Sequence, residues 1–451
     1  MNKGQIMQKR IVTQLEMSKP PNNNGKPIIQ AIAGSNSKPI IKPDVKLLTE
    51  NSQVSVTGKL ARHLQIPDGP YLLYHVDQQG LYLGPVIGIL NSSLRAEGRP
   101  GPYEAKIYRE IVKYARKRGV LIYLFRAGAA FKKEGLIEGS TLNQSGNWVV
   151  RQFPRPDIVY NRIRRRYLEN SPEVEALLKH IEADPQIYLF NSRFLYKWEV
   201  YQAVSSVPMV YNFFPLTMNF NRKNLELMLN YCDEIMLKPD NGSLGKGILK
   251  IVAQGDRYTL AQSSDPTHPY KYSSLDKLFT TLKDKMNVND STLLQRRVEL
   301  SRYKGSIFDV RAQFQKDGSG TWVTTGAAVR VASKKQFVTH IPNGGRAEKL
   351  EDVTRRIFPK PATRSFIRDQ LDFICNHVPS LLEKRLGLNL AIVSMDIAID
   401  PQGKMWILEV NSKPSHFDEP DIRRRHTQLL IDYCIYAATA QKKKLTERSS
   451  L

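Results

Sequence analysis

Residues 394–415 read SMDIAIDPQGKMWILEVNSKPS, two runs of alternating apolar and polar residues flanking Asp400-Pro401-Gln402-Gly403, a composition suited to a tight turn. The pattern predicts a β-hairpin. If Ile399 pairs with Lys404, Asp396 lies opposite Ile407, and the two-residue period of a strand puts Asp396, Glu409 and Asn411 on one face. Two carboxylates and an amide oxygen then converge. Such hard oxygen donors suit Mg²⁺, or Mn²⁺ in its place, with the octahedral shell completed by water and nucleotide phosphate. The competing reading is the exposed polar face of a half-solvated hairpin, and the hairpin alone does not separate the two.

Working upstream, residues 234–252 read EIMLKPDNGSLGKGILKIV, a strand ending at Lys238, a glycine-rich flap and a second strand. Gly242, Ser243, Gly245 and Gly247 would let backbone N–H groups approach phosphate oxygens, while Lys238 would set a point charge against them. A Walker A loop needs GxxxxGK, then Ser or Thr, then a helix, and a dinucleotide fingerprint needs GxGxxG before a helix. Neither pattern fits, and the plain alternative is a hairpin turn.

Residues 291–332, STLLQRRVELSRYKGSIFDVRAQFQKDGSGTWVTTGAAVRVA, predict a strand, a linker and a hairpin turning at Asp317-Gly318-Ser319-Gly320. If Gln315 pairs with Trp322, Arg311 and Arg330 point the same way, where two guanidinium groups can stabilise the charge that develops in phosphoryl transfer. Surface arginines on a basic protein are the alternative. The loop HIPNGGRAE, with Asn343, adds a flexible polar segment nearby.

The whole chain bounds these readings. Its 451 residues exceed one ordinary core, so two folded domains plus tails are expected. Hydrophobic residues at 41% and charged residues at 24% suit a globular chain. No apolar run reaches the roughly 18 residues that span a bilayer, so no membrane partner is expected. Nor does the start carry a signal-peptide core, which points to the cytoplasm. Cys232, Cys375 and Cys434 form no CxxC or Cys/His pattern, giving no reason for zinc or a disulfide framework. The net charge of +24 calls for an anionic partner. No compact motif interleaves the basic residues with aromatics, so no nucleic acid is expected.

Residues 1–45, rich in Lys, Pro, Asn, Gly and Ser, read as a flexible basic arm. Residues 46–189 read as a small α/β domain, with strands in GPYLLYHV, LYLGPVIGIL, VLIYLFRA and DIVYN and a helix in YEAKIYREIVKYARKRG. Its end carries Arg162, Arg164, Arg165 and Arg166, readable as a solvated helix start or as an anion site. Residues 190–441 read as the second domain, opening on the helix pattern FNSRFLYKWEVYQAV with Lys197 in its first turns, and 442–451 as a basic tail.

The order of these features, a Lys-bearing helix, Lys238 with a flap, a Gln295 hinge, an FDVR strand, an AAVR strand, NGG, then D…EVN, resembles the ATP-grasp superfamily over about residues 190–440. LGPVIGILN, PRPDIVYNRI and LQRRVELSRYKGSIFDVRAQFQ narrow the resemblance to the YheC/YheD-like ATP-grasp proteins of endospore-forming bacteria, which are associated with the spore coat. The resemblance implies an α/β (α+β) ATP-grasp fold of two subdomains behind a small α/β domain, with ATP and Mg²⁺ as cofactors. It further implies phosphate contacts from Lys197 and Lys238, and an adenine and ribose hinge at Gln295 to Glu299 that includes Val298. Arg311, Arg330 and Asn343 would contact phosphate or acceptor, and Asp396, Glu409 and Asn411 would bind the metal. The hinge departs from the pattern of many ATP-grasp ligases, Gln-Glu and then an aromatic residue, because Arg296 and Arg297 follow Gln295, and this puts Glu299 in doubt as the ribose carboxylate.

By the same resemblance the expected reaction is ligation of a carboxylate, small-molecule or peptide and of acidic character, to an amine or thiol through an acylphosphate. The alternatives are a kinase acting on a hydroxyl and a spore-coat assembly protein with a vestigial ATP site, and spore-coat proteins are candidate partners. His340 and His416, in loops beside the expected site, are candidates for proton transfer or ordinary surface histidines.

Overall fold

A computed structural model describes residues 13–14, 28–41, 50–78, 80–129, 135–242, 245–286, 288–332 and 346–449. Two compact units emerge. The first takes Met1–Arg193, Lys316–Thr321 and Phe417–Leu451, and the second takes Phe194–Gln315 and Trp322–His416.

In the first unit the runs VIGIL, LIYLF and IVYN are buried at every position, as strands Val86–Leu90, Leu121–Phe125 and Ile158–Asn161. Their lack of alternation follows from their place: they pair in parallel in the middle of a six-stranded sheet, whose central strands are covered on both faces. Helix Pro102–Lys117 makes the crossover between the first two, burying Ile107, Tyr108, Ile111, Val112 and Ala115 at helical spacing. A second six-stranded sheet holds Gly69–Val76 and Gly80–Leu83. The stretch LYLGPVIGIL therefore forms two strands, broken at Gly84-Pro85.

Three features differ from the sequence expectation. Within the segment read as an arm, Ile28–Ala33 and Asn36–Ile41 pair as an antiparallel hairpin in the second sheet, where Ala31 and Ala33 are buried. The boundary expected at 441 falls inside one helix, Pro420–Ser449. Ile422, Leu430, Ile431, Cys434, Ala437 and Ala438 give that helix a buried stripe, and Lys442, one of the basic residues read as a tail, is buried 3.7 Å from Asp157. The arginine cluster divides: Arg162 is only 2% exposed, Arg164 pairs with Glu104 at 3.0 Å, and Arg165 lies outside on Tyr167.

The second unit is built on two more sheets, each with its own core. One runs in the order Thr217–Asn219, Thr292–Arg296, Glu234–Pro239, Leu249–Gln254, Arg257–Gln262, Tyr270–Tyr272. Helices Arg222–Tyr231 and Leu275–Met286 contribute Leu225, Met228, Leu278 and Leu282 to its core. The other runs Arg346–Lys349, Trp322–Val331, Ser306–Lys316, Ile392–Ile399, Met405–Asn411. Phe308, Val310, Ala312 and Phe314 of its middle strand share a core with Ile367, Ile374, Val378 and Leu382 of helix Pro361–Leu386. Each buried Phe there stabilises the fold by about 1.5–3 kcal/mol. The intervening residues Asp309, Arg311, Gln313 and Gln315 are left for the other face.

Candidate functional site

The hairpin expected at 394–411 forms, with a different register. Gly403 adopts φ +85°, its N–H donates to the Asp400 carbonyl at 2.9 Å, and the Asp400 N–H donates to the Lys404 carbonyl at 3.0 Å. This closes a three-residue loop with glycine in the left-handed position. Ile399 consequently faces Met405 rather than Lys404, and Ile397 faces Ile407, with all four in the core.

A straight ladder from there would set Glu409 opposite Met395, on the core side. Instead the register shifts between Ile397 and Asp396, Leu408 is passed over, and Asp396 lies opposite Glu409 with Ser394 opposite Asn411. Such a bulge inverts the alternation of everything beyond it. Val410 returns to the core, and Glu409 and Asn411 join Asp396 on the outer face. The expected grouping holds, but the bulge produces it.

Charge runs across this face from strand to strand. Arg311 is the register partner of Asp396 on the neighbouring strand. Arg330, one strand further out, is 4% exposed, and its Nε and Nη2 donate to the two Asp309 carboxylate oxygens at 2.8 and 2.5 Å. The same Nη2 stands 2.9 Å from Asp396 Oδ2. Burial would lower the pKa of Arg330, yet the Asp396 and Asp309 carboxylates overcome it and hold the pKa above the ordinary value. Arg311 shows the opposite balance: burial and the neighbouring Arg330 pull it down against the attraction of Asp396, Asp309 and Glu409.

The first sheet of this unit supplies the facing groups. Lys238 Nζ donates to Gln295 Oε1 at 2.5 Å, and Gln295 Nε2 donates to Thr217 Oγ1 at 3.1 Å. Burial lowers the pKa of Lys238 to about 8, with Lys197 adding to the depression and Glu409 and Asp396 opposing it. Lys197 is the first residue of helix Lys197–Ser205. Its Nζ donates to the Gly242 carbonyl at 2.6 Å and stands 3.4 Å from Glu409 Oε1. Asp240 fastens that helix by accepting from the Trp198 N–H at 2.9 Å. The helix buries Val200 and Val204, whereas Trp198 and Ala203 on it, and Phe194 before it, are half-buried.

The flap joins antiparallel strands Glu234–Pro239 and Leu249–Gln254, with Gly245 and Gly247 both at φ +70°, where a side chain would strain the backbone. A Cβ on Gly242 would meet Pro239 at 3.1 Å. At the hinge Val298 is buried, Glu299 is exposed, and Arg297 pairs with Glu234 at 2.9 Å. His416 is half-buried. Ser243, Asn343 and His340 lie outside the described residues.

Two residues of this network escaped the sequence reading. Asp309 stands in the quoted FDVR run, where only the arginine drew notice, and its partner Arg330 is 21 residues away. Asp240 sits in the flap sequence but acts on a helix 42 residues earlier.

Among the described residues no group of three or more His, Cys, Asp and Glu side chains forms a metal cage. What the hairpin offers is two carboxylates face to face and Asn411 one pleat along. This all-oxygen set fits a Mg²⁺ that keeps water and nucleotide phosphate as its other ligands.

The family model for YheC/D-like ATP-grasp proteins matches residues 186–437, more than half of the chain and every residue of this site. The chain belongs to the YheC/D-like ATP-grasp family. Within it, the chain is 26% identical over 406 residues to the endospore coat-associated protein YheD of Bacillus subtilis (strain 168), covering 88% of each chain. It is 22% identical over 348 residues to YheC of the same organism, covering 76% of this chain and 95% of the relative. Among solved structures, the D-alanyl-alanine synthetase A of Vibrio cholerae O1 biovar eltor str. N16961 matches with a TM-score of 0.45 and 12% identity, over 79% of this chain and 99% of that one. The ATP-grasp fold expected from the sequence is the fold of this family. Among the described residues no helix is long and apolar enough to cross a membrane.

Proposed function

We propose that the second unit binds ATP with Mg²⁺ and uses it to activate a carboxylate, which an amine or thiol then captures. The observation that carries this reading is the placement of Asp396 opposite Glu409 inside a ring formed by Lys197, Lys238, Arg311 and Arg330. Asp396, Glu409 and Asn411 would hold the metal, which neutralises phosphate charge when bound.

In this reading Lys238 and Lys197 bind the phosphate chain, and the glycine flap offers backbone N–H groups over it. Gln295 orients Lys238, and Gln295 to Glu299 line the base and ribose. Arg311 faces the transferring phosphoryl group. A carboxylate oxygen attacks the γ-phosphorus and the bond to the β-phosphate oxygen breaks, giving an acylphosphate and ADP. The amine or thiol then attacks the acyl carbon, phosphate leaves with the C–O electron pair, and the nucleophile's proton passes to solvent or phosphate. Closure of the glycine flap would exclude water, which otherwise hydrolyses the intermediate.

The net charge of +24 favours an acidic carboxylate substrate, and the coat association of YheD and YheC supports work at or near the spore coat, with coat proteins as partners. Incubation with ATP, Mg²⁺, hydroxylamine and a panel of acidic metabolites and peptides tests the reaction. A hydroxamate with stoichiometric ADP is expected for the true substrate. A stable phosphate ester without trapping would instead assign phosphoryl transfer to a hydroxyl.

A further inference from the structure

We propose that Asp309, which touches neither nucleotide nor metal in the reading above, is a positioning residue that sets the metal affinity of Asp396 through Arg330. The inference rests on the reading of Asp396 and Glu409 as metal ligands and adds a residue to it.

The geometry is a relay across three adjacent strands. Arg330 reaches from Trp322–Val331 over the middle strand Ser306–Lys316 to Asp396 on Ile392–Ile399. Asp309, on that middle strand, takes Nε and Nη2 together at 2.8 and 2.5 Å. A two-point grip of this kind fixes the plane of a guanidinium, as a single contact does not. Nη2 is thereby held 2.9 Å from one oxygen of Asp396, Oδ2. Asp309 and Arg330 are both nearly excluded from water, at 3% and 4% side-chain exposure, whereas Asp396 keeps 18%. The gripped pair is the rigid part and Asp396 is the part that faces outward.

The consequence concerns which carboxylate Arg330 serves. With the Asp309 carboxylate in place, the fork of the guanidinium is occupied, and Arg330 reaches Asp396 with Nη2 at Oδ2. Without that charge, Asp396 is the other carboxylate that Arg330 reaches among the described residues, and a fork on both Asp396 oxygens would compete with a metal for them. Asp309 therefore prevents Arg330 from closing on the metal ligand. A surface arginine would not need such a restraint, because water would compete for it. Here burial removes that competition.

The test is an electron paramagnetic resonance titration of Mn²⁺ in the presence of saturating AMPPNP, for wild type, Asp309→Asn and the double variant Asp309→Asn with Arg330→Gln, with AMPPNP affinity measured separately in EDTA. Wild type is expected to bind one Mn²⁺. Asp309→Asn is expected to weaken Mn²⁺ at least tenfold, while AMPPNP affinity without metal changes less than threefold. The double variant, which lacks the competing guanidinium, is expected to recover at least half of that loss on a logarithmic scale and guards against a fold that fails from one unpaired buried charge. Equal Mn²⁺ affinity in wild type and folded Asp309→Asn, or a double variant as weak as the single one, would overturn the relay. Failure of wild type to bind Mn²⁺ would overturn the metal-site reading itself, and the relay with it.

Discussion

Asp396 lies directly opposite Glu409 because Leu408 is passed over in the ladder. Deleting Leu408 is expected to straighten the hairpin and, because Ile407 stays opposite Ile397, to leave Glu409 opposite Asp396 on the outer face. Mn²⁺ with AMPPNP should therefore still bind within about threefold of wild type. Loss of that binding in a variant that still unfolds cooperatively in urea would mean that the bulge does more than pass over one residue.

Gly403 holds the turn that fixes the register. Its φ of +85° and the 2.8 Å approach a Cβ would make to Thr363 leave little room for any side chain. Gly403→Ala is expected to destabilise the protein by about 2 kcal/mol, since the left-handed backbone alone costs roughly 1–2 kcal/mol for a residue with a Cβ. Urea denaturation at 25 °C measures it.

Breaking the buried Asp309–Arg330 pair from one side should cost more than removing it whole. Asp309→Ala leaves a guanidinium in the interior with one carboxylate fewer, an expected loss of about 3–5 kcal/mol. Replacing both partners by Leu and Met should cost less than half of that. The comparison is a double-mutant cycle read by denaturant unfolding.

Lys238 gives the site a pH dependence with a definite sign. Burial brings its pKa to about 8 in the ligand-free protein, and bound phosphate, being anionic, must raise it. Below pH 8 the lysine is already protonated and binding takes up no proton there. Above pH 8 binding must protonate it, so AMPPNP affinity falls, by up to about tenfold per pH unit until the pKa of the complex is reached. Calorimetric titration from pH 7 to 9.5 should show the fall together with proton uptake, and Lys238→Met should abolish both.

How much of this was legible in the sequence follows from where each partner sits in the chain. Alternation and turn residues sufficed for the Asp396 hairpin, because both signals are local. The register was not legible, since a one-residue difference in loop type and a single bulge leave the apolar pattern unchanged. They offset one another here: the straight pairing of Ile399 with Lys404 and the true pairing with its bulge both bring Asp396, Glu409 and Asn411 to one face. Asp309 was hidden because its partner depends on strand order, which places Ile392–Ile399 beside Ser306–Lys316 across more than 70 residues. The closing helix was hidden for another reason. QKKKLTERSS reads as solvated, and only the fold brings Lys442 to Asp157.

The central claim is that Asp396 and Glu409 hold a nucleotide-borne metal. Mn²⁺ binding in the presence and absence of AMPPNP, in wild type and in the Asp396→Ala, Glu409→Ala double variant, tests it most directly. Wild type is expected to bind Mn²⁺ at least 100-fold more tightly with AMPPNP than without it, because the cationic groups around the two carboxylates disfavour a bare cation, and the variant is expected to lose that binding. Retention of Mn²⁺ and AMPPNP by the variant within threefold of wild type would contradict the account.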